Sequence, residues 1–438
     1  MSMEQPGPIL SRRAFIGGAA ALGAALPFAS PFAFAAETPW PGVTAMVGNY
    51  VRSGKVAGAV AAMGLGEGEA AVIARGNLTY GLEGSVDGDS LFRIYSMTKP
   101  ITGMAAMMLV EDGRLALDQP LAEILPKFAR MQVQRVPDGS LRDLVPADRP
   151  ITIRHLLTHT AGLGYSIIQK GPIKTAYVRA GLVPGAISRL PLPGFGRGDS
   201  VQSLTLFADR LAAMPLVYQP GTRWSYSVGL DLLGRVIEVV SGQSFDRFLK
   251  ERLFDPLGMT STFFTVPRKE AHRLTTNYGV IGGVLLPLDP AAVSVFLDRA
   301  GAPFGGSGLI SSPRDYDRFL RMLQGFGLFE GKRVMKEETV RLATSNLLPP
   351  GIVTRGTFAN GGGFGAGGRV GLGREEGTFG WAGAAGTIGF VDVKRGWRGA
   401  FYAQYMPADA WPAQRKFPEI AMTDALGMIG PAIAAVPS

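Results

Sequence analysis

The sequence predicts an α/β protein of the α+β type, in which one antiparallel sheet is assembled from N- and C-terminal segments and flanked by helices. Two observations carry this. Strand-like segments occur near both ends of the chain, and helix-patterned segments with a mainly helical character fill the stretch between them. A third, a proline placed just inside a long apolar run at Ile94–Thr102, "IYSMTKPIT", marks where the first strand-rich part gives way to helix. The expected organisation is a leader at 1–35 and a folded region at 36–438. Its α/β part comprises about 36–95 and 300–438, and its mainly helical part about 96–299.

The 438 residues, 46% of them hydrophobic, suffice for a large buried core. The 60 glycines and 31 prolines follow no fixed period, which excludes a collagen-like chain and points to many turns. Absence of cysteine rules out disulfides and thiolate metal sites. The net charge of +9 is dispersed, with no basic block of the kind that tracks phosphates, so no nucleic-acid partner is expected.

The leader "SRRAFIGGAAALGAALPFASPFAFAAE" joins Arg12 and Arg13 to a short, glycine-interrupted apolar run and an A-x-A site at Ala33 and Ala35. That run is too short to span a bilayer comfortably. The pattern resembles a bacterial twin-arginine export signal, which implies the twin-arginine machinery as a partner, cleavage after Ala35, and a periplasmic or secreted protein without a stable transmembrane anchor.

In chain order, "VAGAVAAMGLG", "AAVIARGNLTYG" and "SLFRIYS" read as neighbouring antiparallel strands. "TGMAAMMLVEDG" continues a buried helix closed by Asp112-Gly113, with Met104, Met107 and Met108 as core filling. "TIRHLLTHT", "SLTLFADRLAAMP" and "LDLLGRVIEVVSGQSFDRFLKERLFDPLG" follow as helices, the last broken at Ser241-Gly242. Residues 165–203, rich in Gly and Pro, are expected to be a surface insertion of the lid or partner-contact kind. "SPRDYDRFLRMLQGFG" is a further helix, and the strand-like C-terminal third ends on the helix-like "FPEIAMTDALGMIGPAIAAV".

The segment "IYSMTKPIT" holds the first chemical candidates. Proline lacks an N–H and so belongs in a first helical turn, which places the helix start near Ser96 or Met97. Ser96 then lies at the positive end of the helix dipole, and Lys99, three residues on, returns to the same face. An ammonium held there, partly desolvated, should lose its proton more readily than a free lysine, and a serine beside it is a candidate nucleophile. By itself the S-x-x-K spacing favours the polar start of an ordinary helix, since a chain this long should hold about one such spacing by accident.

The remaining motifs decide between these. "FRIYSMTKPIT" resembles the nucleophile segment of the serine β-lactamase and penicillin-binding-protein superfamily. Further matching segments follow in order: "ITIRHLLTHTAGLGY", "YQPGTRWSYSVGLDLLG", "PLGMTSTFF", "FGGSGLISSPRDYDRFL" and "GTFGWAGAAGTIGFVD". The resemblance implies a β-lactamase/transpeptidase-like fold. It also implies that Tyr226 partners Ser96 and Lys99 as acid and base, titrating with Lys99 as a coupled pair. The formal base is left open between them.

Where the superfamily usually carries K-T-G or H-T-G, this chain has "WAG", Trp381 to Gly383, which resembles the W-G-G variant of β-lactamase-like carboxylesterases of family VIII. An indole in the cationic position favours an uncharged ester over a carboxylated lactam. Trp381, Gly383 and Val228, which replaces the asparagine of Y-x-N, are the implied substrate-binding residues, and the backbone amides of Ser96 and Ala384 the implied oxyanion hole.

The reading is therefore a serine hydrolase that cleaves a small-molecule ester through an acyl-enzyme on Ser96, without cofactor or metal, with acyl transfer to an alcohol as a related outcome. Two alternatives stay open. One is a peptidase, amidase or weak β-lactamase acting on peptidoglycan-like substrates; the other is a non-catalytic envelope binding protein. His155 and His159 have metal-ligand spacing, but Leu156 stands where H-E-x-x-H needs glutamate, so structural hydrogen bonding is expected. The glycine-rich 361–371 stretch lacks a P-loop lysine and is expected to allow close approach, and Asp231 and Glu238 are expected as ordinary helix-surface charges.

Overall fold

The computed structural model describes residues 39–189, 200–298 and 301–429. The leader expected at 1–35, and the Gly/Pro-rich 190–199 part of the expected insertion, lie outside the described residues.

A seven-stranded antiparallel sheet joins the two ends of the chain. Its spatial order is Gly363–Phe364, Arg369–Val370, Thr378–Gly383, Thr387–Asp392, Trp397–Tyr402, Gly58–Leu65 and Ala71–Gly76. The join is the pairing of the Gly58–Leu65 strand with the Trp397–Tyr402 strand, in a register that sets Val60 against Tyr402 and Ala62 against Ala400. Alternation along these strands sends successive side chains to opposite faces. Ala59, Ala61 and Phe401 face a layer with Val43 and Val47 of helix α1 (Pro41–Arg52), while Val60, Ala400 and Tyr402 belong to the core on the other face.

That second face carries the helices. Helix α2 (Thr98–Glu111) is buried along almost its whole length, because it lies at the centre of the larger core with its methionines Met104, Met107 and Met108 filling space. After it come α3 (Ile153–Leu157), α4 (Gly171–Arg179), α5 (Leu204–Ala212) and α6 (Gly229–Ser241), the last closed by Gly242 in the left-handed conformation. Short α7 (Phe245–Leu249) and α8 (Asp255–Leu257) follow, then α9 (Pro313–Gln324), capped by the Ser312 hydroxyl, and α10 (Glu337–Ala343). C-terminal α11 (Ala413–Ile429) places Phe417 and Ala421 beside α1's layer on the sheet.

The glycine-rich 361–371 stretch does allow close approach. A side chain at Gly103 would sit 2.0 Å from the Ala366 carbonyl oxygen, and one at Gly367 2.3 Å from the Lys99 carbonyl oxygen. Bare backbone here lets the end of the sheet press against the first turns of α2.

Three expectations change. Of "SLFRIYS", only Phe92–Arg93 is a strand, and it pairs with Ile310–Ser311 outside the main sheet. The Arg93 side chain explains this: fully buried, it donates to Asp289 Oδ2 at 2.8 Å and to the Thr275 carbonyl at 2.6 Å, tying the segment to a different hairpin. That hairpin, Asn277–Ile281 with Val284–Asp289, interrupts the mainly helical region. Its Gly282-Gly283 turn, with both φ values positive, is the signal the sequence carries for it. The 165–203 stretch, expected as surface insertion, contains α4, whose Ile173 and Tyr177 are buried and whose Tyr177 hydroxyl accepts the Gly164 N–H at 3.0 Å.

Candidate active site

Ser96 sits in a single 3₁₀ turn, Tyr95–Met97, that runs into α2 at Thr98. Pro100 is the third residue of α2, within the first turn, where its missing N–H leaves no helical bond unmade. Tyr95, just before the serine, holds φ at +40°. A non-glycine residue there costs about 1–3 kcal/mol and is kept only where its surroundings impose it.

The turn brings Ser96 against two side chains. Lys99 Nζ donates to Ser96 Oγ at 3.2 Å and, more closely, to the Gly306 carbonyl at 2.7 Å. Tyr226, 130 residues further on, donates its hydroxyl to Ser96 Oγ at 2.8 Å. Lys99 Nζ also lies 4.6 Å from the centre of the Tyr226 ring, a cation–π geometry. Lys99 is fully buried, whereas Ser96 is partly open to solvent, as an attacking group must be.

Tyr226 precedes α6 in an extended segment pinned on both sides. Ser225 N–H donates to the His159 carbonyl at 3.0 Å, Ser227 N–H to His159 Nδ1 at 3.2 Å, and Val228 N–H to the Gly164 carbonyl at 3.3 Å. His159, itself at φ +57°, packs its ring 4.8 Å from that of Tyr226. Burial, then the nearby Lys99 charge, pushes His159 well below the usual histidine value, so a neutral imidazole accepts the Ser227 amide. His155 takes the Thr152 amide at Nδ1 in a capping box. Both histidines therefore hold backbone in place.

Trp381 and Gly383 come from the Thr378–Gly383 strand, where Phe379, Trp381 and Gly383 alternate inward. The Trp381 indole N–H does not point away toward a ligand; it donates to Tyr226 Oη at 3.3 Å. Gly383 lies so close to the serine turn that a side chain would stand 2.3 Å from the Ile94 carbonyl oxygen. Ala384, the next residue, is exposed in the turn between two sheet strands. Val228 is fully buried at the start of α6, in the same apolar core that holds the Tyr226 ring.

Sequence reasoning missed three neighbours. Asp231 is not a surface charge: it is 1% exposed and accepts the Gly306 N–H at 2.8 Å. Gly306, from the "FGGSG" segment, touches Lys99. Phe358, 65% exposed, sets its ring 5.5 Å from that of Tyr226 on the solvent side. Asp231 and Gly306 both stand inside segments that the motif pattern picks out, though their contact is tertiary; the Phe358 contact left no trace in the sequence.

The sheet closed by both chain ends, with a serine, a lysine and a tyrosine gathered where a central helix begins, defines a β-lactamase/transpeptidase-like protein. The chain belongs to the Beta-lactamase family, whose model matches residues 43–417. An uncharacterised Mycobacterium tuberculosis protein is 38% identical over 260 residues, 59% of this chain and 60% of that protein, so the match spans under two thirds of that relative's length. Esterase EstB of Burkholderia gladioli is 32% identical over 324 residues, 69% of this chain and 74% of EstB. Among solved structures, EstCE1, described as a hydrolase with promiscuous acyltransferase activity, superposes with a TM-score of 0.69. It is 23% identical, with 88% of this chain and 97% of that one covered. Relatives also include a lovastatin esterase of Penicillium rubens and an acyltransferase of Penicillium decumbens.

Proposed function

We propose that this protein is a carboxylesterase-type serine hydrolase that forms an acyl-enzyme on Ser96. The observation that carries this reading is the convergence of Lys99 Nζ and Tyr226 Oη on Ser96 Oγ, at 3.2 and 2.8 Å. In attack, the Ser96 proton passes to the Tyr226–Lys99 pair as Oγ bonds to the ester carbonyl carbon. The exposed turn at Ala384 and the Ser96 amide are the proposed donors to the resulting oxyanion. When the C–O bond breaks, the pair returns that proton to the departing alcohol. Water, or a second alcohol, then repeats the sequence on the acyl-enzyme and releases an acid or a new ester.

Two observations favour an ester with an apolar acyl part. An indole rather than a cation occupies the strand position beside Tyr226, and the exposed Phe358 ring adds apolar surface next to the Tyr226 ring. Named relatives include a lovastatin esterase and fungal acyltransferases, which agrees with acyl transfer as the same chemistry completed by an alcohol.

The test is turnover of chromogenic esters, a chromogenic cephalosporin and peptide amides by the wild type and Ser96→Ala. Ester turnover with an acyl adduct on Ser96 by mass spectrometry, abolished in Ser96→Ala, is expected. Preferential cleavage of amides or the cephalosporin replaces the esterase reading with the amidase or β-lactamase one. Full activity in Ser96→Ala removes Ser96 as nucleophile, and inertness toward every substrate and toward a fluorophosphonate favours a binding protein.

A further inference from the structure

We propose that Asp231 is a positioning residue for Lys99, acting through the Gly305–Gly306 turn and through its charge. The proposal rests on the reading of Lys99 as a partner of Ser96. Asp231 lies in the first turn of α6, and its carboxylate makes no ion pair within hydrogen-bonding reach among the described residues. A carboxylate buried to 1% exposure without such a pair is expensive, which asks for a compensating purpose.

The contacts form a chain. Asp231 Oδ1 accepts the Gly306 N–H at 2.8 Å, and the Gly306 carbonyl accepts Lys99 Nζ at 2.7 Å. From α2, the Thr102 hydroxyl donates to the Gly305 carbonyl at 2.7 Å. A side chain at Gly306 would stand 2.6 Å from Asp231 Oδ2, and one at Gly305 2.5 Å from the Leu230 carbonyl oxygen. The turn is thus wedged between α2 and α6, and only glycine fits either place.

A carbonyl can accept but not donate. Whatever its protonation, Lys99 must therefore give one N–H to Gly306, and in the neutral amine this leaves the lone pair free to face Ser96. Among the described residues, the ionisable groups beside or coupled to Lys99 include the Tyr226 phenol, the neutral His159 imidazole and Asp231. Asp231 is the one carboxylic acid of the three. Burial raises it to about 6, against the opposing pull of the Lys99 charge and the Gly306 amide.

The experiment measures the rate at which a fluorophosphonate labels Ser96, from pH 4 to 9, beside thermal melting. Asp231→Asn keeps the shape and an acceptor for Gly306 but withdraws the charge. Its expected plateau rate is about tenfold to 10²-fold below wild type, because a neutral amide holds the Gly306 N–H less tightly than a carboxylate does and the turn then holds Lys99 less firmly. Its acid limb should move to lower pH, because the buried carboxylate that interacts with the Lys99 charge is withdrawn. A lower melting temperature with the rate and limb of wild type would make Asp231 merely structural and overturn the proposal, as would no change at all.

Should Asp231→Asn not fold, Thr102→Val reads the same turn from α2. It retains the carboxylate, so the rate should drop about tenfold with the acid limb where wild type has it; an undiminished rate overturns the proposal. Loss of labelling in Ser96→Ala with an unaltered Asp231→Asn sinks this inference and leaves the esterase reading standing. A wild type that is never labelled removes both.

Discussion

The Trp381 indole N–H donates to the phenol oxygen of Tyr226 at 3.3 Å, so the donor of the "WAG" strand is engaged by a neighbouring side chain. The same hydroxyl donates to Ser96 Oγ at 2.8 Å, so the indole helps to orient the phenol toward the serine. Trp381→Phe keeps the ring against Phe364, whose centre is 5.2 Å away, and removes only the N–H. A hydrogen bond of this kind is worth roughly 0.5–1.5 kcal/mol, so kcat/KM should fall by about threefold to tenfold. Steady-state ester hydrolysis by Trp381→Phe and wild type checks this.

Phe358 predicts acyl selectivity. Its exposed ring near Tyr226 can only help a substrate that reaches it. Phe358→Ala should raise KM for hexanoate and octanoate esters about tenfold, in line with roughly 1–3 kcal/mol for a lost apolar contact, and leave acetate esters nearly unchanged. Equal losses on every chain length would place Phe358 outside the acyl path.

Removing one partner of the Arg93–Asp289 ion pair should take away much of the protein's stability margin. Both side chains are almost fully buried, and Asp289 also accepts from the Ser294 hydroxyl at 2.6 Å. Asp289→Ala strands a buried guanidinium, at a cost of about 3–5 kcal/mol. Urea unfolding should show this as a lower midpoint with little change in slope.

Acid sensitivity should trace in part to His155. Burial lowers it from 6.5 to about 4, so the unfolded chain binds the proton more readily than the folded one. Its contribution is present above pH 6.5 and lost as pH falls toward 4. Asp231 and Asp315, both raised to about 6 first by burial, act with the opposite sign: they oppose folding at neutral pH and relent as pH drops from 6 toward 3.8. The informative comparison is therefore His155→Gln against wild type, whose difference in urea midpoint should change between pH 7 and pH 4.5. A difference constant over that range would contradict the assignment.

Export is proposed from the leader alone. Replacing Arg12 and Arg13 together by lysine should hold the protein in the cytoplasm of a bacterial host, while wild type fractionates with the periplasm or medium. Equal distribution of the two would argue for another route.

Local chemistry is enough to make the serine turn legible in the sequence. Pro100 can occupy only the first turn, a helix returns residue i+3 to the same face, and Ser96 and Lys99 must then meet. The ordered motifs make the fold family legible in the same way, together with the sheet closed by both termini. What the tertiary structure decided is which groups surround that pair. Periodicity reports a helix's apolar face but not that α6 is enclosed at its start, so Asp231 reads as surface charge although it is buried on Gly306. A motif likewise assigns Trp381 a place on a strand but not a partner; the strand's approach, permitted at Gly383 by the lack of a side chain, turns its N–H to Tyr226. The physical reason is the same in each case. Residues within one helical turn meet by backbone geometry alone, whereas contacts 75 or 155 residues apart exist only once the core has packed.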